Sequence, residues 1–397
     1  MTIYFIYYSV LLGLGAVLQW IGALKRKGGR VFYLVLVAVA LTVIGGARDF
    51  GVSYDGTTYA SVFRTFSALP WLPPQKYTYF MEYGFYVFCK LIAVCGGTAR
   101  TMFWISSGFV AFSVCSFLYR NTEHIFSAVV ILLSFPYLYT SFDLIRYYLA
   151  VSIVLLAFPF VKKRKFLPYC CVIAAACMFH KTAVIYLLLY FLPLLHWNGL
   201  TAALTFCGTI LVSALAHPLA AFFSKLFNDY TSYVSGMNTN WIGTFAGGIK
   251  TAGMYLLIAA IAAYVYGGLE EKTPKQNQNL GYVILTAAVS VIFVTSSIAV
   301  RLLVAFLPFM SVGLAEVLYA GKSKMPKTRV FLQYITLLLC LAYHAFLILN
   351  NWQHIPLETE DTEGAIGEKN PFFIRLLSGR QQRQRRMLPE RCRISGR

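Results

Sequence analysis

Apolar runs of roughly 15–20 residues recur along the whole chain, each long enough as a helix to cross a bilayer core of about 30 Å. Short polar segments separate these runs. No stretch longer than about 40 residues has the balanced composition of a soluble domain. The pattern therefore predicts an all-α polytopic integral membrane protein built as one membrane domain.

Basic segments between the apolar runs indicate how the chain is oriented. They are Lys25–Arg30, Lys162–Lys165, Lys272–Lys275 and Lys322–Arg329. Because basic loops favour the cytoplasmic side, we expect all four to lie inside. The first span then runs from outside to inside. Its start has neither the basic residues nor the small-residue cleavage site of a signal peptide, so we expect this span to be retained.

Alternation from these segments predicts about twelve transmembrane helices and one partial or re-entrant helix. Three apolar runs, at about 83–96, 102–119 and 125–142, join two outside positions, which requires an even number of crossings. One of them must therefore be re-entrant or lie along the interface. The first run is short and contains Lys90, and the third contains Pro136, so both remain candidates. The other expected spans lie near 3–24, 31–47, 146–161, 166–180, 182–195, 200–216, 250–266, 280–298, 302–319 and 330–349.

The expected membrane domain covers residues 1–350, with outer loops at about 48–82 and 217–249 that are rich in aromatic residues. Aromatic residues at this depth are typical of the membrane interface, and a surface for sugars or lipid headgroups is the functional alternative. A polar, basic tail follows over residues 351–397. Alternation puts this tail outside, against the bias of basic segments, where it could contact acidic lipid or be a solvated appendage.

Composition agrees with a membrane protein, since 58% of the 397 residues are hydrophobic and only 12% are charged. The net charge is +19, but no nucleic-acid-binding motif accompanies it, so we expect no nucleic-acid partner. Every cysteine except Cys392 lies inside an apolar run, without metal-ligand spacing. This favours small buried hydrophobic residues over disulfides or a metal site.

Ionisable residues on the expected outer side form the candidate site. Arg48, Arg146, His180, Lys181 and Arg301 come from separate parts of the chain, yet alternation brings all of them to one face. The bias of basic residues toward the cytoplasm works against that placement. A charge at the rim of an apolar helix is usually paired, snorkelled to the interface or functional. A cluster of cations there suggests an anionic ligand, and phosphate matches the guanidinium fork.

Two carboxylates accompany these cations. Asp55 and Glu82 could pair with the cations structurally, or one of them could act as a general base on a hydroxyl group. His180 could share the role of base, although a histidine at a helix end is more often a structural hydrogen-bonding residue.

Short motifs in a fixed order suggest a family. They are Arg48, Asp55-x-x-x-Tyr59, Glu82-x-Gly-Phe85, Ile145-Arg146 with Leu149-Ala150, Phe179-His180-Lys181-Thr182-Ala183, and Arg301. Together they resemble the EpsG family of Wzy-type polysaccharide polymerases. The resemblance implies a GT-C-like fold and the polymerisation of undecaprenyl-diphosphate-linked oligosaccharide repeat units. It implies the outer face of the bacterial cytoplasmic (inner) membrane as the location, and no metal or cofactor.

The resemblance also implies roles for the site residues. Arg146 and Arg301, with Arg48 as a further cation, would stabilise the leaving diphosphate. Asp55 would be the general base, preferred over Glu82 and His180. Arg48, Tyr59, Glu82 and Lys181 would bind the substrate. The implied partners are the lipid-linked oligosaccharide, the membrane, a chain-length regulator and a flippase.

Two other functions remain open from the sequence. A membrane glycosyltransferase that uses a polyprenyl-phosphate sugar would need similar carboxylates and cations. A transporter or flippase of lipid-linked glycan should have internal repeats and intramembrane charges near the midplane. The sequence has no clear repeat and its charges lie at the rim, which favours the polymerase.

Overall fold

A computed structural model describes residues 2–53, 55–73, 81–215, 241–293, 297–319 and 321–350. These residues are mainly helical, as the hydrophobic pattern predicts. A ten-residue 3-10 helix, Lys181–Tyr190, lies between α9 and α10. The α-helices are α1 Thr2–Trp20, α2 Lys27–Ala47, α3 Gly56–Ala68, α4 Tyr83–Val94, α5 Ala99–Asn121, α6 Ile125–Ser134, α7 Tyr137–Asp143, α8 Ile145–Lys162, α9 Phe166–Cys177, α10 Gly199–Ala214, α11 Trp241–Gly267, α12 Pro274–Phe293, α13 Ser297–Tyr319 and α14 Pro326–Asn350.

Helices α2 and α5 pack antiparallel, and polar contacts mark both of their ends. At one end, Arg100 in the first turn of α5 donates to the carbonyls of Gly46 and Arg48, where α2 stops. At the other end, Arg30 near the start of α2 pairs with Glu123, just after α5, at 3.5 Å. The Arg100 side chain thus supplies hydrogen-bond donors to the Gly46 and Arg48 carbonyls, which the end of a helix leaves without backbone partners.

Helix α8 shares the same two ends. Arg48 donates through Nη2 to the carbonyl of Phe142 at 3.2 Å, only three residues before α8 begins. We call this the Arg146 end, after the second residue of α8. The opposite end carries Arg30 and Lys162, and we call it the basic end.

Among the three apolar runs between residues 83 and 142, the first, α4, begins and ends at the Arg146 end, which favours it as the partial element. Helix α4 starts beside Arg146, through Glu82, and α5 begins at that same end. Lys90, midway along α4, donates to the carbonyl of Ser67 at the end of α3, at 2.8 Å. Helices α3 and α4 therefore form a layer at the Arg146 end. The third run does reach from one end to the other, but it is bent by 52° between α6 and α7, around Pro136.

Helix length supports a polytopic membrane protein. By length and composition, five helices in the described residues could cross a membrane, or six if the bent pair α6–α7 counts as one span. Other apolar helices among the described residues, such as α9 and α10, are shorter, with 10–17 residues. The count of twelve spans therefore stays a prediction.

Apolar side chains on the outside of the bundle follow helical spacing. On α2, Val31, Val35 and Val39 are exposed, and on α14 Tyr334 and Leu338 are exposed. Residues spaced by four positions lie on one face of a helix. Continuous apolar stripes of this kind would be unfavourable in water, so they are the surfaces that contact lipid.

Helix α9 and the 3-10 helix form a hairpin that starts and ends at the basic end. The 3-10 helix ends at the basic end, because Arg164, just before α9, donates to the carbonyl of Tyr190 at 2.9 Å. A 3-10 helix rises about 2.0 Å per residue, so ten residues reach about 20 Å, where an α-helix would reach about 15 Å. The turn of the hairpin lies at His180 and Lys181, where the sequence predicts it.

Some sequence predictions differ from the structure or fall outside the described residues. Residues 48–82, expected as a loop, contain the helix α3, and residues 241–249 already belong to α11. Most of the second outer loop, residues 216–240, and the tail, residues 351–397, lie outside the described residues. The prediction for the cysteines is correct only in part. Cys89, Cys115 and Cys340 are buried, but Cys95, Cys171 and Cys207 are exposed.

The placement of α4 can be tested by labelling from either side of the membrane. In a chain that retains only Cys95, we expect a membrane-impermeant maleimide to label it from the same side as Thr57→Cys, because both positions lie at the Arg146 end. Lys163→Cys, at the basic end, should be labelled only from the opposite side. If the maleimide labelled Cys95 only from the side that labels Lys163→Cys, α4 would be a true span.

Candidate active site

An ion pair between Glu82 and Arg146 lies at the centre of the Arg146 end. Glu82 immediately precedes α4, and Arg146 lies in the first turn of α8. Nη1 of Arg146 donates to Oε2 of Glu82, and the two side chains are only 19% and 10% exposed. Removing either partner would leave a charge buried without compensation, which is strongly destabilising. The pair therefore adds a polar contact to the buried apolar cluster, including Phe85 and Leu149, that packs the α3–α4 layer on the crossing helix α8.

The second oxygen of the same carboxylate binds another segment of the chain. Oε1 of Glu82 accepts a hydrogen bond of 3.0 Å from the backbone N–H of Lys181, at the hairpin turn. Beside it, the N–H of Gly84 donates to the carbonyl of Met178 at 2.9 Å. A Cβ atom at Gly84 would lie 2.6 Å from that carbonyl oxygen, so only glycine allows this approach. Glu82 thus bridges a guanidinium and a backbone amide.

Tyr59 and Asp55 extend the site along α3. The Tyr59 hydroxyl lies beside the Arg146 guanidinium, and the Tyr59 ring packs edge-on against Phe85 with centroids 5.8 Å apart. Asp55 is the residue before α3, and its carbonyl accepts from the Tyr59 N–H at 2.9 Å. Residues one turn apart lie about 5–6 Å from each other on the same face. Asp55, which is half-buried, therefore lies at the end of α3 that carries Tyr59.

His180 is buried next to the ion pair. Its Nδ1 lies 2.8 Å from Oγ1 of Thr182, and its ring packs edge-on against Tyr147 with centroids 5.2 Å apart. The Tyr147 hydroxyl in turn forms a hydrogen bond with the Tyr186 hydroxyl on the 3-10 helix. These contacts orient the imidazole and connect the hairpin to α8. A catalytic role for His180 stays a prediction.

Arg48 lies in a different environment from Arg146. Its guanidinium is stacked between the rings of Phe103 and Phe142, 4.5 Å from each centroid, and it donates to the carbonyls of Gly45 and Phe142. It also lines a small cleft between α2, α5, α7 and the start of α8, together with Ser106 and Tyr137. Its described contacts are those of a helix cap, and substrate binding by Arg48 stays a prediction.

Arg100 is a cation at this end that sequence reasoning missed. Besides the two carbonyls at the end of α2, its guanidinium contacts the Phe50 ring, 4.4 Å from the centroid. The signal was available, because Arg100 opens an apolar run after an outer segment, just as Arg146 does. A cation in that position has to be satisfied by acceptors from neighbouring segments.

The structure thus brings together Tyr59, Glu82, Arg146 and the Lys181 amide. The His180 ring packs on Tyr147, the residue after Arg146, and Asp55 immediately precedes α3. The Lys181 side chain is exposed. Arg301 belongs to α13, and its side chain lies outside the described residues. Within those residues, no group of His, Cys, Asp and Glu could hold a metal ion.

Comparison with protein families identifies the chain. The EpsG family matches residues 31–359, a range that contains every residue of this site. The chain belongs to the EpsG family. The family that the motifs suggested is therefore confirmed, and EpsG proteins are Wzy-like polysaccharide polymerases of the membrane. No curated protein and no solved structure gives a significant match to this EpsG chain.

Gly84 tests whether the close docking of α4 on the hairpin turn supports the site. We expect Gly84→Ala to push the turn away from Glu82 and to lower stability by about 1–3 kcal/mol, the usual effect of overpacking. The measurement is Tm of the purified protein, together with polymer yield in cells. Gly208→Ala is the matched control, since a Cβ there meets nothing within 4 Å. Equal Tm for the two variants would contradict the importance of this contact.

Proposed function

We propose that this EpsG chain polymerises undecaprenyl-diphosphate-linked oligosaccharide repeat units at the outer face of the bacterial cytoplasmic membrane. The observation that supports the proposal most is the convergence of Arg146 and the Lys181 amide on one buried position at the Arg146 end, with Tyr59 beside the guanidinium. Donors of this kind suit an anionic leaving group such as a diphosphate. A half-buried aspartate, Asp55, immediately precedes α3, the helix that carries Tyr59.

The reaction is a glycosyl transfer between two lipid-linked glycans. A hydroxyl oxygen at the non-reducing end of the incoming unit forms a bond with the anomeric carbon of the growing chain. The bond from that carbon to the diphosphate oxygen breaks, and the electron pair leaves with the lipid diphosphate. The hydroxyl proton passes to a base. The protein therefore has to stabilise negative charge at one place and remove a proton at another.

In this proposal Arg146 stabilises the charge that develops on the diphosphate. In the free protein its guanidinium lies between Glu82 and Tyr59, so it is already in position when the diphosphate arrives. Loss of one such donor typically lowers kcat by about 10²–10³. Arg301 is proposed as a second cation for the same group, on the sequence argument alone.

Asp55 is the proposed general base. It lies at the start of α3, where the partial positive charge of the helix end favours the ionised carboxylate. A carboxylate that remains ionised can accept the proton of the acceptor hydroxyl. Glu82 suits this role less, because both of its oxygens are engaged.

The proposed membrane placement follows the charges of the two ends. Lys162 and Arg30 lie at the basic end, which the bias of basic residues assigns to the cytoplasm. The Arg146 end then faces outward, and α4 is the partial helix beside about twelve crossings of a GT-C-like fold. A flippase would deliver the repeat units to this face, and a chain-length regulator would act with the polymerase.

Arg146→Ala tests the proposed stabilisation of the leaving group. In a deletion strain complemented with this variant, we expect single lipid-linked repeat units to accumulate while long chains disappear from the glycan ladder. Arg146→Lys should also fail to restore long chains, because an ammonium group lacks the planar, paired donors that a guanidinium offers to a phosphate group.

Arg164→Ala is the control for Arg146, since it removes an arginine at the basic end and should leave the ladder unchanged. Full-length polymer from Arg146→Ala at normal protein levels would refute the assignment. Loss of the single unit as well, in the deletion strain, would indicate an earlier transferase or a flippase in place of a polymerase.

Asp55→Asn tests the base separately. The amide keeps the size of the side chain but cannot take up a proton, so polymer synthesis should fall by about 10²–10⁴-fold while the protein remains folded. The rate of chain growth in membranes from normally expressing cells is the measurement. Asp49→Asn is the matched control, because Asp49 only caps a local turn by accepting from the Gly51 N–H at 2.6 Å. An equal effect of both changes would exclude Asp55 as the base.

A further inference from the structure

The Glu82 carboxylate occupies a position that would also suit a phosphate group. One of its oxygens accepts from the Arg146 guanidinium, and the other accepts from the Lys181 N–H at 3.0 Å. These two donors come from different helices and point at a pair of oxygens on one atom. Two oxygens of a phosphate group offer the same pattern of acceptors, and guanidinium groups bind carboxylate and phosphate in similar geometries.

The charges in this position cancel as long as Glu82 remains in it. Arg146 contributes one positive charge and Glu82 one negative charge, and both side chains are largely buried. A diphosphate that approached the intact pair would meet the carboxylate as a like charge within contact distance, which is unfavourable in a buried site. Binding of the diphosphate at Arg146 therefore requires the carboxylate to move aside.

We propose that Glu82 is an internal stand-in for the substrate, which a phosphate group of the lipid diphosphate displaces from Arg146 and the Lys181 amide. This inference rests on the proposed function, since it concerns the diphosphate of the same lipid-linked substrate. In the free protein, Glu82 keeps both donors in place and compensates the buried charge. In the complex, the phosphate takes over both contacts.

The contacts around Glu82 allow its side chain to leave without separating the helices. The hydrogen bond from the Gly84 N–H to the Met178 carbonyl holds α4 on the hairpin turn without help from the carboxylate. The Glu82 side chain makes no capping hydrogen bond within its own helix. Its movement would therefore break only the two contacts that the phosphate restores.

The Arg146 guanidinium also has a donor that Glu82 does not use. Its Nε atom is buried and has no hydrogen-bond partner among the described residues. A buried donor without a partner is unfavourable by about 1–3 kcal/mol. A phosphate group carries more oxygens than a carboxylate, so it can accept from Nε in addition to the two donors that Glu82 engages. The additional contact therefore favours the phosphate-bound state over the state with Glu82 at Arg146.

Affinity for a short-chain diphosphate tests the exchange. The probe is farnesyl diphosphate, and its Kd is measured on the purified full-length chain in detergent. Glu82→Gln removes the competing charge but keeps the shape of the side chain, so we expect Kd to fall by about tenfold. Glu82→Ala should bind at least as tightly as wild type. For Arg146→Ala we expect Kd to rise by more than about tenfold.

A structural role for Glu82 predicts the opposite sign. If Glu82 only oriented Arg146, both Glu82 variants would bind the probe more weakly than wild type, and that result would overturn the proposal. Unchanged affinity of both variants, or no binding of the probe by any form of the protein, would overturn it as well. Glu316→Gln is the matched control. Glu316 is also a buried carboxylate in an ion pair, with Lys275 at 2.8 Å, but it lies at the basic end and should leave Kd unchanged.

The two proposals can fail separately. If Glu82→Gln tightened binding of farnesyl diphosphate while Arg146→Ala still produced full-length glycan, the exchange would stand and the polymerase assignment would fall. If Arg146→Ala abolished long chains while Glu82→Gln weakened binding, the polymerase would stand and the exchange would fall.

Discussion

The buried ion pair between Glu82 and Arg146 is the contact on which the arrangement of the Arg146 end depends. A guanidinium near the start of a crossing helix needs an anionic or hydrogen-bonding partner, because neither lipid nor apolar side chains can replace its hydration. Glu82 supplies that partner and at the same time binds the Lys181 amide. One carboxylate therefore joins α4, α8 and the α9 hairpin, three segments that lie far apart in the sequence.

Cations and carboxylates are divided between two kinds of helix. Arg100 and Arg146 lie in the first turns of long crossing helices, where the helix dipole disfavours positive charge. Each is held by acceptors from another segment. The carboxylates Asp55 and Glu82 instead precede the short helices α3 and α4, where the dipole favours negative charge. The layer at the Arg146 end thus supplies an anion for Arg146, whereas Arg100 is held by backbone carbonyls at the end of α2.

The sequence predicted the parts of the fold that depend on local pattern. Apolar runs located the five described helices that are long enough to cross a membrane. The rim charges indicated Glu82 and Arg146, and the family motif indicated Tyr59, which the structure brings together with them. The sequence could not show that α4 is the partial helix, because that depends on the tertiary contact between Lys90 and the Ser67 carbonyl. Nor could it distinguish Arg48, which caps a helix between two phenylalanine rings, from Arg146, since both appear as single cations at the rim.

A carboxylate that must be displaced also provides selectivity at a membrane surface. An uncompensated arginine at the rim would attract any anionic lipid headgroup. With Glu82 in place, a ligand has to bring enough negative charge, and enough oxygens, to replace a contact that already exists. A diphosphate carries more of both than the single phosphodiester of an ordinary lipid. A ligand binds only if its contacts with Arg146 and the Lys181 amide are stronger than those of Glu82. Glu82 would therefore favour the diphosphate carrier over bulk lipid.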